Sequence, residues 1–90
     1  MIASEIRQYL ADLDPDLLLA DGFDDALLGY VQRFNQTVAL YDRTKCIEIL
    51  MKRDEMSDED AEEFFEFNVV GAFVGDYTPA FATLLKTEQP

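Results

Sequence analysis

Two capped helical stretches in the middle of the chain constrain the fold more than any other feature. Asp42 and Ser57 both carry side chains that accept hydrogen bonds from the free amides of a helix start, and each precedes a run with helical spacing. After Asp42, the residues Cys46, Ile47, Leu50 and Met51 fall on one stripe, and Glu48 precedes Lys52 in the orientation that supports a helix. This predicts a helix from the Asp42 cap to about Arg53. After Ser57, Asp60 sits at the third helical position, and Asp58, Glu59 and Asp60 load the first turn with the charge that the helix dipole favours. Ala61, Phe64, Phe65 and Asn68 continue the expected inner face of this second helix.

The flanking segments supply the rest of the core. Ser4 is the expected N-cap of a helix over residues 4–13, with Ile6, Leu10 and Leu13 recurring at helical spacing before Asp14 and Pro15 stop it. Residues 15–20 read as a short helix, because proline suits a first helical turn. Asp21, Gly22, Phe23, Asp24 and Asp25 have turn chemistry. Residues 27–34 and 37–41 then carry β-branched and aromatic side chains around Asn35 and Gln36, the pattern of a β-hairpin. Beyond Val70, the run Ala72, Phe73 and Val74 reads as a third strand, with a turn at Gly75 and Asp76. Residues 1–3 and 83–90 are expected to fray. The expected architecture is a single α+β domain over residues 1–90, with a small antiparallel sheet of about three strands and helices packed on one face.

Composition narrows the chemistry. The 90 residues include no His and one Cys, so there is no imidazole to activate a nucleophile or hold a metal, no internal disulfide and no thiolate zinc site. Cys46 reads as an inert core thiol. No Gly-x-Ser-x-Gly segment and no metal-nuclease spacing of acids and lysine occurs, and the glycines around Ala72 match no phosphate-binding loop. A non-catalytic protein without cofactor or metal is the reading that results. The longest apolar runs fall far short of a membrane span, and the start of the chain lacks a signal-peptide pattern, so a soluble intracellular protein is expected.

Charge is the most unusual property. There are 19 acidic residues against 7 basic ones, a net charge of −12, which argues against direct nucleic-acid binding. Eight of the thirteen residues in 54–66 are acidic and none is basic. Glu59, Glu62, Glu63 and Glu66 fall near one another on the outer side of the second helix, where like charges three and four apart repel. Such a surface either keeps a small protein soluble or meets a basic groove on a partner protein; the four glutamates are the candidate partner-binding residues. Asp21, Asp24 and Asp25 form a second, weaker candidate cluster. With Asp12, Asp14 and Asp16 they invite comparison with a calcium loop, but Leu17 and Phe23 stand where such a loop needs Gly and Glu. Arg43, Lys45, Lys52 and Arg53 are expected to balance the acidic helix. Phe64, Phe65 and Phe67 cannot all face one core: burial of the helix on two sides is the plainer reading, and exposure of one ring to a partner is the other.

The strings Asp21-Gly22-Phe23-Asp24-Asp25-Ala26, Lys45-Cys46-Ile47-Glu48-Ile49-Leu50 and Glu63-Phe64-Phe65-Glu66-Phe67-Asn68-Val69, followed by Gly71-Ala72-Phe73-Val74-Gly75 and Thr78-Pro79, together resemble a family of small acidic proteins encoded by bacteriophages and prophages. Glu55 stands where that family tends to have Gly. The resemblance supplies a setting without a reaction or cofactor. It implies a protein acting in the cytoplasm of a bacterial host, where small acidic phage proteins block nucleic-acid-processing or defence complexes, as anti-restriction and anti-CRISPR inhibitors do. The alternative is an accessory protein that assembles with itself, homodimers included, or with other phage components through apolar surface from Phe67, Tyr77 and Phe81.

Overall fold

The computed structural model describes residues 1–72 and 74–85. The chain runs through helix α1 (Ala3–Leu13), a single 3-10 turn (Asp24–Ala26), strands β1 (Leu27–Arg33) and β2 (Gln36–Asp42), helices α2 (Arg43–Arg53) and α3 (Asp58–Phe65), a π-helical segment (Glu66–Val70) and a short strand β3 (Ala80–Ala82). It is an α+β fold.

The two central caps form as their residue types dictate. The Asp42 carboxylate accepts from the Lys45 amide at 3.3 Å and the Ser57 hydroxyl from the Asp60 amide at 3.1 Å, which satisfies one orphan donor at each helix start. Helix α1 begins earlier than Ser4. Its cap residue is Ile2, whose amide donates to the Glu5 carboxylate at 3.1 Å, so a glutamate reaching back replaces the serine.

Residues 15–20 are not helical. The Asp14 carboxylate accepts from the Asp16 amide at 2.9 Å, and the Asp14 carbonyl from the Leu17 amide at 3.2 Å, which closes a turn. The following residues have no regular structure, with Leu17, Leu19 and Ala20 packed against the core. Local side-chain bonding competes successfully with a helix too short to be stable alone.

β1 and β2 form the expected antiparallel hairpin, in register from Arg33 opposite Gln36 to Leu27 opposite Tyr41, with a bulge between Leu27 and Gly29. The third strand lies elsewhere than its hydrophobic run suggests. Gly75 at φ +110° and the Thr78 hydroxyl, which accepts from the Val74 amide at 2.9 Å and donates to the Gly75 carbonyl at 2.6 Å, hold residues 74–78 in a turn; Phe73 lies outside the described residues. The strand follows that turn, and β3 pairs parallel to β2, with Phe81 opposite Tyr41. The sheet is therefore mixed, in the order β1-β2-β3, and α2, α3 and the π-helical segment make the crossover that a parallel pair requires.

Leu27, Ala39 and Tyr41 are buried on the sheet face toward the helices, where they join Leu10, Phe23, Ala26, Cys46, Ile47, Leu50, Ala61 and Phe65 in one cluster. Phe65 is its centre, edge-on to Phe23 at 6.1 Å and to Phe81 at 5.1 Å between ring centroids. Val31, Val38, Leu40 and Ala80 alternate to the other face and stay half-exposed. Of the two segments expected to fray, Ala3 belongs to α1 and residues 83–85 are described without regular structure, while 86–90 lie outside the described residues.

Candidate functional site

Helix α3 buries Ala61 and Phe65, one turn apart, and turns every carboxylate of its acidic run outward. Glu59, Glu62, Glu63 and Glu66 are all exposed, as their spacing predicts, but their surroundings divide them into two rows. Arg43, at the first position of α2, reaches across to Glu66 at 2.7 Å and to Glu62 at 3.5 Å, while its guanidinium lies 5.8 Å from the centroid of the Phe65 ring. Its pKa is raised chiefly by the hydrogen bond it donates to Glu66, and more weakly by Glu62. Glu62 and Glu66 thus hold α2 and α3 together. No ion pair involves Glu59 or Glu63 among the described residues.

The π-helical segment gives the second row one of its aromatic companions, Phe67. Its wider turn is closed by the Gly71 amide donating to the Glu66 carbonyl, five residues back, at 3.0 Å. A Cβ at Gly71 would lie only 3.1 Å from the carbonyl oxygens of Glu66 and Phe67, so this close return of the chain favours glycine. Phe64 precedes this segment and flanks the buried Ala61–Phe65 row, and Phe67 follows Phe65 by two residues, about 200° round the helix. Phe67 is 77% exposed and Phe64 is 40% exposed, whereas Phe65 is fully buried. The expected inner face is corrected at two positions: Phe64 and Asn68 both point outward, and burial on two sides does not occur. Met56, Asp60, Glu63, Phe64 and Phe67 line a shallow depression of about 390 Å³, in which apolar rings are flanked by unneutralised carboxylates.

The second cluster does not form an acidic face. Asp24 pairs with Arg7, and with Asp25 it lines a cleft of about 560 Å³ opposite Lys45, Lys52 and Arg53. Asp21 lies apart, on the rim of an apolar groove beside Leu18 and Val74. The basic residues are likewise redistributed. Of the four expected to balance the acidic helix, only Arg43 is paired with it. Arg53 donates to the Gly22 carbonyl at 2.8 Å and covers the Phe23 ring at 5.4 Å, and Lys45 pairs with Glu48. Of the residues expected to supply apolar surface for assembly, Phe67 is bare, whereas Tyr77 and Phe81 are half-buried, with the Phe81 ring stacked on Tyr41 at 5.5 Å.

Among the described residues, no group of three or more His, Cys, Asp or Glu side chains is placed to hold a metal ion, and no helix is long and apolar enough to cross a membrane. Cys46 is fully buried, and burial pushes its thiol up to about 12. Fold and surface together define a small α+β domain whose distinctive exposed feature is the acid-and-aromatic outer face of α3. No protein-family model matches the chain, and no curated protein or solved structure matches it either.

Proposed function

We propose that this chain is a non-catalytic protein-binding module that engages a basic partner through the outer face of α3. The observation that supports this reading is the exposure of Phe64 and Phe67 beside Glu59, Asp60 and Glu63, carboxylates that no base of the chain pairs with among the described residues. Exposed aromatic rings supply binding energy when a partner desolvates them, and the surrounding charge selects a positive surface and speeds encounter. A solubilising face needs the carboxylates but not the rings.

A groove built to hold nucleic acid has the matching chemistry, since it offers fixed cations in place of phosphates and apolar surface in place of bases. In the setting that the phage-family resemblance implies, the partner is a host nucleic-acid-processing or defence complex, blocked in the host cytoplasm. Glu59 and Glu63 carry the interaction directly. Glu62 and Glu66 contribute to the field of the face while keeping α3 docked on α2 through Arg43.

The test is affinity capture from a bacterial host lysate with the parent protein and with a Glu59→Lys/Glu63→Lys variant in parallel, eluting in salt steps. A basic partner retained by the parent, lost in the variant and released by moderate salt is the expected result. Equal retention by both proteins would exclude this face. The variant should stay folded, because neither glutamate pairs with a base among the described residues, and its melting temperature should fall by a few degrees at most, since Glu59→Lys removes a favourable charge from the first turn of α3.

A further inference from the structure

The β-hairpin is the one long stretch of this chain that charge has left alone. Residues 26–41 contain no Asp or Glu and one base, Arg33, in a chain that has 19 acidic residues. Depletion of charge marks the core of interfaces between proteins. For two copies that each carry −12, a surface free of carboxylates is also where approach meets least repulsion.

That neutral segment ends at an open sheet edge. β1 lies at one side of the β1-β2-β3 order, and among the described residues no hydrogen bond from outside the β1–β2 ladder reaches the backbone of residues 29–33. Edge strands are normally protected by lysine, proline, bulges, inward charges, extreme shortness or a covering helix. β3, at the other side, has only three residues, but β1 has seven, with no Pro and no Lys; its one bulge lies at its start, between Leu27 and Gly29, where α1 approaches and Tyr9 stacks on Tyr30 at 6.4 Å.

The tip of the hairpin adds a third observation. Phe34 has φ +55°, a conformation that suits Gly or Asn, and its side chain is 94% exposed. A fully exposed phenylalanine in the left-handed region is unfavourable on both counts in the isolated chain.

We propose that β1 is a homodimerisation strand, pairing antiparallel with β1 of a second copy across a two-fold axis to continue the sheet from one molecule into the next. The strand is self-complementary in a register centred on Val31. Val31 then meets its own counterpart, Arg33 stands opposite Gly29, where nothing lies within 4 Å of a Cβ position, and Phe34, in the turn just beyond the strand, comes beside Leu28 of the second copy. Phe34 and Leu28, 94% and 44% exposed in the isolated chain, cover one another. No like charges face each other at any position of this pairing. The two-fold pairing uses the one long free edge of each copy, so the assembly closes at two. It is independent of the α3 face, which stays accessible.

Sedimentation equilibrium over the micromolar range, at about 0.1 M and about 0.5 M sodium chloride, tests the proposal. The expected result is a monomer–dimer equilibrium that tightens at the higher salt, because screening weakens repulsion between two acidic molecules. Val31→Lys and Phe34→Asn should each raise the dimer dissociation constant at least about tenfold. Phe34→Asn should leave the melting temperature of the monomer unchanged or higher, since asparagine suits the turn, so loss of the dimer cannot be ascribed to unfolding. Amide exchange at residues 29–33 should slow as concentration rises. A protein that stays monomeric throughout, a dimer indifferent to both substitutions, or an open-ended series of oligomers overturns the proposal.

Discussion

Tyr41 joins three parts of the molecule through one side chain. Its ring is fully buried against Phe81, and its hydroxyl accepts a hydrogen bond at 2.8 Å from the amide of Ala20, the last residue of the irregular segment that follows α1. Phenylalanine at position 41 would preserve the packing and leave that amide without its acceptor. Tyr41→Phe should therefore lower stability by about 1–2 kcal/mol in urea denaturation, and amide exchange at Ala20 should accelerate. Tyr41 and Cys46 also make the fold sensitive to alkali. Burial raises both pKa values, the thiol to about 12 from an ordinary value of 9.0. A group whose pKa is raised by folding favours the folded state fully below its unfolded pKa, and that contribution is lost as pH climbs towards the folded value. Stability should fall above about pH 9 through the thiol and above about pH 10 through the phenol, by up to about 1.4 kcal/mol per pH unit for each group, with little change from these two groups between pH 6 and 8. Urea titrations at several alkaline pH values on the parent and on Cys46→Ala separate the share of the thiol. The burial of Cys46 was legible in the stripe Cys46, Ile47, Leu50. The hydrogen bond from Ala20 was not, because no local pattern announces a contact between residues 21 positions apart.

At the scale of elements, local chemistry located the two central helices and the hairpin, and failed wherever a segment's hydrogen bonds are closed by its own side chains. Leu17 to Ala20 and Val74 both belong to apolar runs of the right kind for regular structure, yet Asp14 closes a turn ahead of the first, and Thr78 holds Val74 in the turn that the sequence predicts only from Gly75 on. The connection between α2 and α3 shows a different tension. Glu55 has φ +55° just after the α2 cap at Asp54, the place where helices commonly end on a left-handed glycine. Glycine is the residue that this conformation suits best. Glu55→Gly should raise stability by about 0.5–1 kcal/mol, read from the midpoint of a urea melt, because it removes the steric penalty of a β-carbon in that conformation. An unchanged or lower midpoint would show that the Glu55 side chain contributes something beyond the turn. The outward aim of Phe64 and Phe67 belongs to this scale too. Apolar type and spacing placed Phe64 and Asn68 inside, but α3 turns only the Ala61–Phe65 row to the core and leaves Phe64 on its flank, while Asn68 falls in the wider turn that follows Phe65 and is closed by Gly71.

Across the whole molecule, charge and apolar surface are segregated. The acids crowd α3, the end of α1 and the loop before β1, while the hairpin carries none before Asp42, its last residue. The two proposed contacts should consequently answer salt in opposite directions: binding through Glu59 and Glu63 weakens as ionic strength rises, and pairing of β1 with a second copy strengthens. Measuring both on the same preparation distinguishes the two faces without a structure of either complex. The sequence by itself determined the fold class, the two central caps, the hairpin, the buried thiol and the outward display of Glu59, Glu62, Glu63 and Glu66, because each follows from interactions within a few residues or from a simple periodicity. Only the tertiary structure decided that β3 joins parallel to β2, that Arg43 draws Glu62 and Glu66 into the scaffold while Arg53 turns to Phe23, that Asp24 and Asp25 face bases, and that Phe67 is bare. Those outcomes depend on which distant groups compete for the same space and the same hydrogen bonds, and that competition is settled only when the whole chain packs around Phe65.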